Sequence, residues 1–168
     1  TQAAERAYRS SGNDAARLDV KLTAQNGARL HWLPQETILF DHSRLARRIE
    51  VDMDQDSECL ILESLVFGRH AMGETLTRCQ FTDRWRIRRD GRLVHAEALR
   101  LDGDPGHCLA HGAGANGAQM MAVIVYVGPR VGQIHVDMNG VLGSLASRMA
   151  VSAWDGKVGM RLPAGETL

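Results

Sequence analysis

The stretch Trp85-Arg86-Ile87-Arg88-Arg89-Asp90-Gly91-Arg92-Leu93-Val94-His95-Ala96-Glu97-Ala98-Leu99-Arg100-Leu101 reads as a β-hairpin. An Asp-Gly pair suits both central positions of a two-residue turn whose twist matches that of paired strands. A turn at Asp90-Gly91 sets Ile87 against Val94 and Trp85 against Ala96 on one side, with Arg86 against His95 on the other. That register sorts apolar from polar residues, as cross-strand pairing favours. A second pair, Asp155-Gly156, sets Ala153 against Val158 and Val151 against Met160. Asn26-Gly27 behaves differently: a tight turn there puts His31 opposite Leu22 and Trp32 opposite Lys21, which mixes the faces and predicts a longer connection.

Elsewhere, apolar residues alternate or form short runs bounded by Gly, Pro or Asx turns, the pattern of strands. Cys59 to Phe67 and Met120 to Val127 are nearly continuous apolar runs, predicted to be central strands covered on both faces. Val141 to Ala150 places Leu142, Leu145 and Met149 at helical spacing with Asn139 nearby as a cap, so a short helix is expected there, weakened by Gly143. The glycine-rich segment 102–117 reads as an exposed loop. Residues 1–168 are expected to form a single mainly β domain with minor helix.

Charge and composition exclude several function classes. Lys plus Arg equals Asp plus Glu at 20 each, so no net field draws the chain to nucleic acid or to an anionic membrane. No apolar run approaches the roughly 20 residues of a spanning helix. Cys59, Cys79 and Cys108 lack C-x-x-C spacing and are odd in number, which points to a reducing, cytoplasmic setting. The chain begins at Thr1 without a signal-like segment, as expected of a piece from within a longer protein.

No G-x-S-x-G, P-loop or H-E-x-x-H motif is present, which weakens an enzymatic reading. His107, Cys108 and His111 offer nitrogen and sulfur ligands that suit nickel or zinc, yet such a cluster reads first as exposed loop residues. Asp52, Asp54, Asp56 and Glu58 would share one face of a strand, as a cation-attracting stripe or, more simply, a charged edge. In Glu63-Ser-Leu-Val-Phe-Gly-Arg-His-Ala-Met-Gly-Glu74, an apolar strand runs into two glycine bends flanked by Arg69 and Glu74, which suit a structural ion pair.

These residues resemble a known family. Gly68-Arg69-His70-Ala71-Met72-Gly73-Glu74, preceded by Leu65-Val66-Phe67, is similar to the G-R-x-x-x-x-E signature of the UreD (also UreH) urease accessory proteins. Leu30 to Phe40 resembles the family's W-L-P-Q-E-x-I-x-F segment, and Thr1 to Arg9 its T-x-x-A-E-x-x-Y-R opening. Trp85-Arg86-Ile87 with Asp90-Gly91, and Ser152-Ala153-Trp154-Asp155-Gly156, follow in the family's order.

The resemblance implies a mainly β fold of stacked strand layers with hairpins and one or two short helices, truncated at both ends relative to the family. It also implies a scaffold without catalysis of its own, required for urease maturation by nickel insertion. Its partners would be UreF, UreG and the urease structural subunits, with nickel as transient cargo and no tightly bound cofactor. Glu63, Arg69 and Glu74 are the candidates for a polar path, with Arg69 organising the two carboxylates. Trp32, Pro34 and Glu36 are candidates for a turn that shapes a partner surface, although a large aromatic such as Trp32 suits the core better. The other readings are a generic β-rich interaction domain and a hydrolase built on a β framework.

Overall fold

The Asp90-Gly91 turn forms as the sequence predicts, with both residues at positive φ (48° and 74°). In the computed structural model, which describes residues 3–110, 117–142 and 150–164, it joins two long strands, β7 (Cys79–Arg89) and β8 (Arg92–Gly103). The chain before it winds between two sheets: β1 (Glu5–Ala7), β2 (Ala16–Ala24), β3 (Arg29–Trp32), β4 (Thr37–Leu39), β5 (Ser43–Met53) and β6 (Glu58–Phe67). A four-stranded sheet has the order β2-β5-β7-β8, and the other contains β1-β4-β6 with β3 also beside β6. Parallel strands need a crossover, and here a strand of the opposite sheet supplies it: β2, β5 and β7 stack in parallel, as do β3 and β4 against β6.

The second half closes the larger sheet with antiparallel strands β9 (Met120–Val127), β10 (Ala150–Trp154) and β11 (Lys157–Ala164), in the order β6-β9-β11-β10. The Asp155-Gly156 hairpin has the predicted register, Ala153 against Val158 and Val151 against Met160. β6 and β9 lie in the interior of their sheet, as their apolar runs predict. Two apolar clusters fill the space between the sheets, one around Ile49, Ile61, Trp85 and Val125, the other around Leu45, Leu65, Phe67 and Phe81.

Several sequence expectations are corrected. A bulge between Ile87 and Arg88 shifts the first hairpin by one residue, so that His95 rather than Val94 faces Ile87 and Glu97 rather than Ala96 faces Trp85. An extra residue on one strand turns the rest of that strand over. Asn26-Gly27 does not close a hairpin, because β2 and β3 belong to different sheets. The acidic residues 52–58 do not share one strand face: β5 ends at Met53, Asp54 accepts from the Asn26 amide (2.9 Å), and Glu58 opens β6 on the other sheet.

Segment 102–117 is not loop throughout, since β8 reaches Gly103 and a short helix α1 (Pro105–Ala110) follows. Asp104 accepts from the Gly106 amide (2.8 Å) and Pro105 stands where a helix needs no N–H. The predicted helix begins ten residues early, as α2 (Val131–Leu142), and Asn139 lies inside it rather than capping it. Packing of α2 against β9, β10 and β11, with Leu142 buried, outweighs the low helix propensity of Gly132 and Gly140. The rest of the predicted helix, residues 143–149, lies outside the described residues. No helix among the described residues is long and apolar enough to cross a membrane.

Gly68, where β6 ends, has φ 87°, and a Cβ there would meet the Glu74 carbonyl oxygen at 3.1 Å and the Leu76 amide nitrogen at 3.2 Å. Gly73, at φ 72°, faces open space. Gly68→Ala should therefore destabilise the fold by about 1–3 kcal/mol in urea unfolding, and Gly73→Ala by less, about 1–2 kcal/mol.

Candidate functional site

β5, β6 and β7 each turn an alternate row of side chains toward the opposite sheet, and each row is interrupted once by a charge. Arg47 follows Leu45 and precedes Ile49, Asp83 lies between Phe81 and Trp85, and Glu63 lies between Ile61 and Leu65. All three are 4% exposed. Arg47 donates through Nε (3.1 Å) and Nη2 (2.6 Å) to the two carboxylate oxygens of Asp83, its register neighbour. Its Nη1 donates to Glu63 across the sandwich and to Thr37 Oγ1 at 3.1 Å. Trp32 Nε1 donates to the other Glu63 oxygen at 2.7 Å.

Burial works against the Arg47 charge, but Asp83 and Glu63 outweigh it and hold its proton more firmly than usual. Glu63 also holds its proton more firmly than usual, but here burial prevails: it pushes the carboxyl above the ordinary value, against the pull of Arg47 and the Trp32 hydrogen bond. The cluster forms one wall of a cavity of about 330 Å³ between the sheets, lined also by Phe67, Trp85, Leu99 and Met121. The cavity opens past β8, where Ala98 and Arg100 are exposed and Arg161 of β11 reaches across to Glu97. Deeper along the same seam, Lys157 donates to the Val94 carbonyl, and burial, then Lys157 and Arg161, push His95 down to about 4. His95 therefore carries no charge at neutral pH.

The structure does not bring Arg69 and Glu74 to Glu63. Arg69 donates to both oxygens of Glu74 (3.0 and 2.9 Å) and stacks over the Phe40 ring at 4.3 Å, with its own side chain 41% exposed. The hydrogen bonds from Arg69 hold Glu74 below its ordinary carboxylate value. Arg47, not Arg69, organises Glu63. Arg69 instead lines an apolar groove of about 730 Å³ on the outer face of the larger sheet, with Tyr8, Glu36, Phe40, Met72 and Met120.

The structure does not gather Trp32, Pro34 and Glu36 on one face: the half-buried Trp32 reaches inward to Glu63, Glu36 lines the outer groove, and Pro34 lies in the connection between β3 and β4. Among the described residues no group of three His, Cys, Asp or Glu side chains is placed to hold a metal. His111 and the side chains of His107 and Cys108 lie outside the described residues. Arg47 and Asp83 were legible as single charges in otherwise apolar alternating rows. Of the three, Glu63 alone lies next to the glycine bends of the segment 63–74, whereas Arg47 and Asp83 show only through strand phase.

The model of the UreD urease accessory protein family matches residues 1–167. A urease accessory protein UreD of Agrobacterium fabrum is 42% identical over 166 residues, covering 99% of this chain and 57% of its own length. A urease accessory protein UreD 3 of a Bradyrhizobium strain is 47% identical over 154 residues, 92% of this chain and 55% of its own. One from Rhizobium leguminosarum bv. viciae is 44% identical over 171 residues, 99% and 60% respectively. The chain thus spans little more than half the length of these relatives.

Two measurements probe the buried cluster. Arg47→Ala strands two buried carboxylates and should cost about 3–5 kcal/mol in urea unfolding, whereas Arg69→Ala, at the surface, should cost far less. Folding raises the proton affinity of Glu63, so its contribution is fully present below its ordinary value of 4.5 and is lost as pH climbs through the raised value. Glu63→Gln cannot ionise. The stability of the wild type minus that of the variant should fall with rising pH across that window, and a rise there contradicts the assignment.

Proposed function

The chain belongs to the UreD urease accessory protein family, and on that premise we propose that it serves urease maturation as a scaffold without chemistry of its own. In this reading it bridges apo-urease to UreF and UreG in the cytoplasm, and nickel passes as cargo along a sheltered route between its two sheets. The observation that carries the route is the Arg47–Glu63–Asp83 cluster at the wall of the inter-sheet cavity. Carboxylates attract a divalent cation, but a route must not trap it, and affinity rises with the number of converging ligands. Arg47 holds both carboxylates as its own partners, so a passing cation must compete for them and binds weakly. Carboxylates already engaged in this way suit transient exchange better than acid–base catalysis.

Arg69, Glu74 and Glu36 then belong to the partner-facing surface. Tyr8 is 62% exposed and Met72 77% exposed beside them, and exposed apolar area rimmed by charge is the usual form of a protein contact.

The two roles separate in co-purification and activation assays on the intact protein. Glu63→Gln and Asp83→Asn should leave the complex with UreF and urease assembled while lowering its nickel content and urease activity. Arg69→Ala or Glu74→Ala should weaken assembly itself. Unchanged activation by the first pair with the complex intact places the route elsewhere.

A further inference from the structure

We propose that the Arg161–Glu97 ion pair is a strap across the mouth of the inter-sheet cavity, and that exchange of Arg161 for an entering divalent cation at Glu97 opens the way to Glu63 and Asp83. The inference rests on the reading that a cation passes through this cavity.

Three observations lead to it. Arg161 is anchored in the larger sheet, where it pairs with Val123 of β9 and Ala150 of β10, while Glu97 stands on β8 at the edge of the smaller sheet. Their ion pair therefore ties the two sheets together at the cavity's opening. Its exposure is lopsided, 64% for the Arg161 side chain and 12% for Glu97, so the guanidinium can swing into solvent while the carboxylate stays at the threshold. A part-exposed pair of this kind holds weakly and is screened by salt.

The charge balance changes with the strap. Closed, the cavity's carboxylates Glu63, Asp83 and Glu97 face the guanidiniums of Arg47 and Arg161, since Arg100 is turned to Asp102 at 2.7 Å. With Arg161 withdrawn, Arg47 alone balances them, and the cavity becomes a stronger attractor for a cation at the moment it becomes accessible. Lys157, four residues away on the same strand, remains tied to the Val94 carbonyl. The strap can thus release at one point without β11 leaving the sheet.

The β8 bulge makes the device possible. Without it Glu97 would face away from the cavity and Arg161 would have no partner on the opposite sheet.

The test uses the intact protein in complex with apo-urease, with nickel limiting. Arg161→Glu, which repels Glu97, should speed activation by up to about fivefold, the shift expected of a part-exposed ion pair, and the swap Glu97→Arg/Arg161→Glu should return it toward the wild-type rate. Acrylamide quenching of Trp85, which lines the cavity, is read as the difference from matched proteins carrying Trp85→Phe. It should rise in Arg161→Glu and fall again in the swap. If Glu63→Gln impairs activation but neither readout responds to Arg161→Glu, the strap is wrong and the route stands. If quenching responds while activation ignores both Arg161→Glu and Glu63→Gln, the mouth opens as described but the route is wrong, and with it the exchange for a cation.

Discussion

Arg47 is a guanidinium held almost wholly out of water between two sheets, and the fold is arranged to satisfy it. A buried cation is tolerated only when its donors are met, and here they are met from three strands: Asp83 beside it on β7, Glu63 across the gap on β6, and Thr37 on β4. The two apolar clusters lie on either side of this charged layer. Register is fixed as a consequence. Sliding β5 against β7 by one residue would part Arg47 from Asp83 and turn an apolar row outward, so each penalty reinforces the other.

The same layer explains why a chain with no specific catalytic motif still has a cavity with ionisable walls. Long side chains paired across the gap leave the sheets less tightly interdigitated than methyl groups would, and the space beside them opens toward the β8 edge. Two devices close that edge. The bulge points His95 and Glu97 inward, and β11 answers with Lys157 and Arg161. His95 stays neutral there because burial and two flanking cations oppose its charge. A neutral imidazole can sit between them without adding repulsion.

The family segments divide between two places. Tyr8, Glu36, Phe40 and Arg69, from three separated stretches, gather on the outer groove, while Trp32 and Glu63, from two of the same stretches, meet inside the sandwich. Alternation alone would keep Trp32 with Glu36 and Glu63 with Arg69, each an even number of residues apart, but the connection from β3 to β4 and the bend at Gly68 (φ 87°) come between them and change the face. Trp32 and Glu36 are close in sequence, yet one supports the buried cluster and the other the outer surface. Glu63, Arg69 and Glu74 are likewise close along the chain, and the end of β6 with its bend at Gly68 separates them.

What the sequence determined by itself was local: the β-rich class, the two Asp-Gly turns, the central apolar strands and the family segments. Each follows from periodicity, backbone preference at a glycine, or residue identity within a short window. The charged layer left a trace as well, in Arg47 and Asp83 interrupting apolar rows, but a single charge in a row does not say what it meets. Only the tertiary structure decided that Arg47 finds Asp83 and Glu63, that Asn26-Gly27 passes between sheets, and that a bulge turns Glu97 toward Arg161. Those outcomes depend on which strands lie side by side and in what phase, and a contact such as Arg161 with Glu97, 64 positions apart, is set by the packing of whole sheets rather than by any stretch of the chain.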